Sequence, residues 1–190
     1  MLKCYHKMNI VEAANKTEIA MVHGLLTRKY PRLYADIWKV GVNLSLRISD
    51  LLAIKYADLN VSKRSLKLID KKTSKPNEVR LNNTVMDIIN QRRNDYPNDE
   101  WLFQVHSSRA NNKPISRVAV AVAFKKAGEQ LGLTINTHSM RKSRGMALFE
   151  DGVPVEMIAK VLNHTNPLHT LRYLGITKEK VLATYDLYEL

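Results

Sequence analysis

Helical periodicity runs along most of this 190-residue chain and gives way once, after Tyr56, to a two-residue alternation. Ser65-Leu66-Lys67-Leu68-Ile69-Asp70 alternates as a half-buried strand does, and Val79-Arg80-Leu81 supplies a second short one. Between them, Lys71–Glu78 is polar and rich in turn formers, long for a hairpin connection. Such a pattern confines the chain to a mainly α fold carrying one small antiparallel β-sheet, an α+β domain.

Before the break, Thr17-Glu18 reads as the cap and acidic first turn of a helix running to about Tyr30. Pro31 suits the first helical position of a second, from Arg32 to about Leu46, buried through Leu33, Ile37, Val40, Val42 and Leu44. Leu51, Leu52 and Ile54 continue the core after the interruption Arg47-Ile48-Ser49-Asp50. Beyond the strands, Thr84–Arg93 is helical through Val85, Ile88 and Ile89, and Ser116–Leu131 through a face of Val118, Val122 and Leu131. Ser139–Asp151 stops at Gly152, Pro154 opens a short helix through Leu162, and Pro167 opens another through Gly175. Thr177–Leu190 reads as a terminal amphipathic helix with Val181, Leu182, Tyr185 and Leu190 on its apolar side. No repeat, low-complexity tract or long linker divides the chain, so one domain is expected.

Charge narrows the partners. Thirty Lys and Arg against eighteen Asp and Glu give a formal charge of +12, and a basic excess across a folded domain points first to nucleic acid. No apolar run reaches the ~18 residues of a membrane span, so no membrane role is expected. Cys4 is the only cysteine, so there is neither a disulfide nor a CxxC metal site. A reducing, cytoplasmic compartment fits.

Four separated features can carry chemistry, and each alone has an ordinary explanation. Arg47 lies between two apolar stretches, where it either pairs with Asp50 or presents a fixed guanidinium to a phosphate. His138-Ser139-Met140-Arg141 opens a helix and puts imidazole and guanidinium on one face, beside free N–H groups suited to an anion. His164 falls between two short helices and Tyr173 nine residues later, flanked by Leu171 and Leu174, where both could be plain packing. Lys71, Lys72 and Lys75 form either a solvated hairpin surface or a tip reaching into a substrate groove. Together, two arginines, two histidines, a lysine and a tyrosine suffice for metal-free phosphoryl transfer: arginines neutralise phosphate oxygens, histidine and lysine move protons, and tyrosine attacks.

In order and spacing these residues resemble the catalytic domain of the tyrosine recombinases, or phage integrases. Leu46-Arg47-Ile48-Ser49-Asp50 is similar to the family's first arginine box, with its acidic residue three positions on; His138–Arg141 resembles the HxxR box. Leu162-Asn163-His164 stands where the family has Leu-Gly-His, and Tyr173 keeps the family's spacing to its nucleophile. Asparagine tolerates left-handed geometry, so the exchange at 163 is expected to be mild. Lys72, nine residues before Leu81 and followed by Thr73, best resembles the hairpin lysine, with Lys71 and Lys75 as alternatives.

The resemblance covers about Thr17 to Leu190 and implies a site-specific DNA recombinase of integrase or invertase type, acting through a 3′-phosphotyrosyl intermediate without metal, cofactor or ATP. It implies that Arg47, Arg141 and His164 hold the scissile phosphate and that Tyr173 attacks. Lys72 is then the general acid and His138 the acid/base partner of Tyr173, while Asp50 supports the arginines. Lys71, Lys75, Arg117, Lys125, Lys126, Lys142 and Arg144 are expected to contact duplex DNA. Residues 1–16 are expected to be an N-terminal extension, 17–176 the catalytic domain, and 177–190 a helix that packs on its own domain or docks on a neighbouring protomer. A homo-tetramer on DNA, monomeric or dimeric when free, and a bacterial cytosol or nucleoid setting complete the expectation. The same six groups would also serve a type IB topoisomerase-like enzyme. A metal-free nuclease and a non-catalytic DNA-binding regulator are the remaining alternatives.

Overall fold

The computed structural model describes residues 13–107 and 112–187. The elements run α1 (Lys16–Lys29), α2 (Arg32–Leu44), α3 (Ile48–Leu51), a 3₁₀ turn at Tyr56–Asp58, β1 (Leu59–Asn60), β2 (Ser65–Ile69), β3 (Pro76–Arg80), α4 (Asn83–Asp95), α5 (Arg117–Gln130), α6 (Ser139–Glu150), α7 (Val155–Val161), α8 (Pro167–Tyr173) and α9 (Lys178–Leu187). The mainly α architecture with one small antiparallel sheet is as expected.

Several boundaries shift, each for a local reason. The first helix is capped by Asn15 rather than Thr17: the Asn15 side chain accepts from the Glu18 N–H while the Glu18 carboxylate accepts from the Asn15 N–H. Ala14 is buried and donates its N–H to Ser143 Oγ at 2.8 Å, so the chain joins the domain before residue 17. Pro31 is the N-cap of α2, one place earlier than expected. That helix ends at Leu44, because Ser45 turns left-handed (φ 56°, ψ 20°), and a separate turn, α3, follows. The sheet has three strands, not two. Two-residue β1 adds to β2 through Leu59–Leu66 and Asn60–Ser65 pairs, too short to leave an alternation signal. β3 starts at Pro76, opposite Ile69, where an edge strand needs no N–H from its first residue. The hairpin turn is therefore tighter than Lys71–Glu78, closing through Asp70 N–H to Lys75 O at 2.9 Å.

Most of the core lies around α2. Trp38 and Phe124 meet edge-to-face at 5.3 Å between centroids, and Phe103, Leu26 and Ile37 are fully buried with them. The buried Arg92–Asp36 pair, at 3.2 Å, is completed by Arg92 Nε donating to Leu102 O. In α5 the expected face is corrected. Val118 and Val122 are exposed, 69% and 48%, and Val120, Ala123, Phe124 and Ala127 are buried instead. Alanines make this inner face too small to stand out in a hydropathy pattern, while the valines define a competing stripe.

A second, smaller cluster of Ile158, Leu162 and Leu174 joins α7 and α8 to the end of α6. Leu190 and residues 1–12 fall outside the described residues. On α9, Leu182, Tyr185 and Leu187 lie open, 52%, 76% and 74% exposed.

Two packing features give testable stabilities. At Gly41, where α2 crosses α6, an added Cβ would lie 2.2 Å from Met140 Sδ and 3.1 Å from Leu51 Cδ2. Gly41→Ala is expected to destabilise by about 1–3 kcal/mol through overpacking, read as a lower urea midpoint. Ser45 is left-handed and its buried Oγ has no partner among the described residues. Ser45→Gly should stabilise by about 1 kcal/mol, relieving the backbone cost and removing the orphaned hydroxyl; unchanged or lower stability in urea titration would refute this.

Candidate active site

The turn after α2 and the start of α6 bring the two boxed arginines together. Left-handed Ser45 redirects the chain so that Arg47 caps α3 in extended conformation. Ser45 O accepts from Arg141 Nη1 at 2.6 Å, and Leu162 O accepts from Arg141 Nη2. Arg141 is 5% exposed, and among the described residues it has no ion pair. Burial, then the like charge of Arg47, pull its pKa down to about 10, so it remains cationic at neutral pH.

Arg47 does have a carboxylate partner, and it is Asp70, not Asp50. Asp50 is a residue of α3, and its Oδ1 accepts the Lys71 N–H at 3.2 Å and the Ser49 hydroxyl at 3.4 Å, so it holds the start of the hairpin turn. Lys72 N–H and Thr73 N–H both donate to Asp70 Oδ1 at 3.0 Å. Burial raises the Asp70 pKa, but the Thr73 N–H, the Arg47 charge and the Lys72 N–H outweigh it and hold the carboxyl below its usual range.

A cleft of about 320 Å³ is lined by Arg47, Ile48, Ser49, Lys71, Lys72, Arg117 and His138. Its composition is basic, with hydroxyl and imidazole groups, as a phosphate needs. A larger trough of about 750 Å³ lies behind the hairpin against Ile54, Leu66 and Leu68; Arg141, His164 and Tyr173 line neither space, and of the boxed groups the cleft gathers Arg47, Lys72 and His138.

His164 is presented by a left-handed turn at Asn163 (φ 46°), the geometry anticipated for asparagine in place of glycine. Its Nδ1 lies 3.0 Å from the hydroxyl of fully buried Thr170. Burial, followed by Arg141, Arg47 and His169, lowers its pKa to about 4, so the ring is neutral at pH 7. The Tyr173 ring stands edge-on to it at 5.5 Å. The Tyr173 hydroxyl donates to the backbone O of His138 at 3.3 Å rather than to the His138 ring. Burial pushes that phenol up to about 12 against the pull of Arg141 and Arg47. His138 is likewise held below its ordinary value, first by burial and then by Arg141, Arg117, Lys72 and Arg47.

These shifts have a stability consequence. Between about pH 6.5 and pH 4 the unfolded chain protonates His164 while the folded chain does not. Stability therefore falls as pH drops through that window. His164→Gln should flatten the dependence of melting temperature on pH there; an equally steep variant would refute the assignment.

The remaining basic residues divide by position. Lys75, Lys125 and Lys126 are exposed, with Lys125 3.8 Å from Glu129. Arg117 is exposed and belongs to the cleft. Lys142 instead lines a different cleft, with Asn15, Met146, Glu150 and Leu174. Arg144 is partly buried and its Nε lacks a partner among the described residues. Asp70 and Thr170 escaped the sequence reading. Asp70 reads as the end of an alternating strand, and Thr170 has no signal beyond lying on the helix before Tyr173.

Comparison with known proteins bears on this arrangement. Residues 14–180 match the model of the phage integrase family. The chain is 30% identical over 183 residues to the "Probable integrase/recombinase YoeC" of Bacillus subtilis (strain 168), covering 95% of this chain and 98% of that one. It is 29% identical over 133 residues to tyrosine recombinase XerA of Pyrococcus horikoshii, covering 70% of this chain but 46% of XerA. The fold is similar to that of the Tn1549 transposon integrase in complex with a circular intermediate DNA, with a TM-score of 0.74 at 16% identity, over 93% of this chain and 66% of that one. A crystal structure of XerA recombinase gives a TM-score of 0.72 at 13% identity, over 94% of this chain and 64% of that one.

Proposed function

This chain belongs to the phage integrase family, and on that premise we propose that it is a site-specific tyrosine recombinase that breaks and rejoins duplex DNA. The observation that carries this reading is Arg141. A buried guanidinium held by two carbonyls, beside a second guanidinium and lacking an ion pair among the described residues, is electrostatically suited to an anion. A scissile phosphate supplies it.

Arg47 and Arg141 neutralise the nonbridging oxygens as charge builds, and neutral His164 donates an N–H to one of them. The Tyr173 Oη attacks phosphorus and the P–O5′ bond breaks, leaving a 3′-phosphotyrosyl link. The phenol proton passes to the neutral His138 ring, and Lys72 Nζ protonates the departing O5′. Since the resting phenol is bonded to the His138 carbonyl, it must turn toward the ring or the phosphate when DNA binds. Attack on the link by another strand's 5′-hydroxyl reverses these steps, exchanging one phosphodiester for another without ATP. The approach of Tyr173 to His164 of its own chain supports cleavage by each protomer of the phosphate it holds.

Lys71, Lys75, Arg117, Lys125 and Lys126 are proposed to contact duplex phosphates, and affinity should fall steeply with salt. Arg144 is kept as a contact that must first swing outward, and Lys142 as a marginal one. The catalytic unit of this reading is the expected 17–176 extended at its start to Ala14, which packs on Ser143. The open apolar side of α9 supports docking of 177–190 on a neighbouring protomer in a tetramer. No helix among the described residues is long and apolar enough to cross a membrane; a DNA substrate places the enzyme with bacterial chromosomal or element DNA, in the cytosol or nucleoid.

The test uses a nicked suicide duplex carrying the site enriched from a randomised duplex pool by the wild-type protein. A denaturing gel should show a covalent protein–DNA adduct, and digestion with mass spectrometry should map it to Tyr173. Cleavage without an adduct would make the chain a nuclease. An adduct that reseals without exchanging strands would make it topoisomerase-like, and binding alone would make it a regulator.

A further inference from the structure

Three separate parts of the site converge on one buried carboxylate. Asp70 is 2% exposed. One oxygen, Oδ2, pairs with Arg47 and lies 3.4 Å from Asn163 Nδ2; the other accepts the N–H groups of Lys72 and Thr73. Its backbone closes the same turn, donating to Lys75 O and accepting from the Ser74 N–H at 2.8 Å. A buried charge is tolerated when paired and fully hydrogen-bonded, and these four donors fill the acceptor positions of a carboxylate. The resulting Asx-type turn fixes the backbone of Lys72. The pair with Asp70 also holds Arg47 by its Nη1 end, and the rest of its fork retains N–H groups for a phosphate. Asn163 carries the contact to the turn that presents His164, and a glycine there would have no side chain to make it.

We propose that Asp70 is a positioning residue that sets Lys72 and Arg47 in register with one another, so that the leaving oxygen is protonated where the phosphate is clamped. This rests on the recombinase reading above. Asn at 70 keeps a side-chain oxygen for the two N–H groups but loses the charge facing Arg47, whereas Ala loses both functions.

The experiment measures adduct formation by wild type, Asp70→Asn, Asp70→Ala and Lys72→Ala on the enriched suicide duplex. The scissile phosphate is either ordinary or a 5′-bridging phosphorothiolate, whose thiolate departs without a proton. On the ordinary duplex Asp70→Ala should lose about 10²-fold, the scale of an ångström-sized misplacement, and Asp70→Asn less. On the phosphorothiolate Lys72→Ala should recover, Asp70→Ala should recover only to the level of Asp70→Asn, and Asp70→Asn should not recover. Equal loss by Asp70→Ala on both duplexes overturns the link to Lys72, and an undiminished Asp70→Asn overturns the link to Arg47. If Asp70→Ala fails to fold, Asp70→Leu, which keeps the side chain's branched shape but accepts neither N–H, takes its place in the comparison of the two duplexes. A wild type forming no adduct on either duplex overturns the recombinase reading and this inference with it, while wild-type adduct with unaffected Asp70 variants overturns this inference alone.

Discussion

Arg141→Ala will lower the single-turnover cleavage rate by about 10³-fold or more, the scale on which an arginine stabilises a transferring phosphoryl group. The guanidinium is the part of the site best suited to an anion. It is buried, and among the described residues it is fixed by carbonyls rather than carboxylates. Its removal also strands Ser45 O and Leu162 O, each a buried acceptor that then lacks its donor, so stability should fall as well. Arg141→Lys separates the two effects. A lysine ammonium can reach one of those carbonyls and keeps the charge, but it cannot span both carbonyls and a phosphate as the planar fork does. It should recover most of the stability and little of the rate. Arg47→Ala belongs to the same scale, and it leaves Asp70 buried without its cation. Measured at saturating DNA, a loss under tenfold for either alanine variant would contradict the assigned roles.

The parts of this molecule legible in the sequence are those set by local chemistry. Proline and glycine punctuation marks α7 and α8 because ring closure and left-handed turns act on the residues that carry them. The single alternating stretch marks β2, since a strand with one buried face must show that period. The arginine, histidine and tyrosine spacings were readable because they lie within or beside single elements. What the sequence hid depends on distant contacts. Val118 and Val122 make as good a stripe as Val120 and Phe124 do, and only the packing of Trp38 against Phe124 selects the second. Arg47 has Asp50 three residues away and bonds to Asp70 instead, because the hairpin folds over α3 and takes up the nearer carboxylate with the Lys71 N–H. Lys142 shares a helix with Arg141, yet the next residue of a helix points about 100° away, into the cleft beside α1.

Tyr173→Phe will bind the enriched duplex as wild type does and form no covalent adduct. The change removes one oxygen from a ring that already packs against the Ile158, Leu162 and Leu174 cluster and the edge of His164. The hydroxyl's recorded bond is a single 3.3 Å contact to the His138 carbonyl, so its loss should cost no more than about 1 kcal/mol of stability. Binding and folding therefore survive while the nucleophile disappears, and this separates chemistry from assembly in a way the arginine variants do not. The phenol is also held protonated, with a pKa near 12, so attack requires the proton to leave as the bond to phosphorus forms. His138→Gln should accordingly slow adduct formation by about 10²-fold or more, the usual contribution of a positioned base, and weaken the rise of rate with pH as the imidazole loses its proton. Tyr185, exposed on α9, is one alternative nucleophile among the described residues. An adduct that persists in Tyr173→Phe and vanishes in Tyr185→Phe would move the attacking oxygen to the terminal helix, and would make the site depend on where that helix docks.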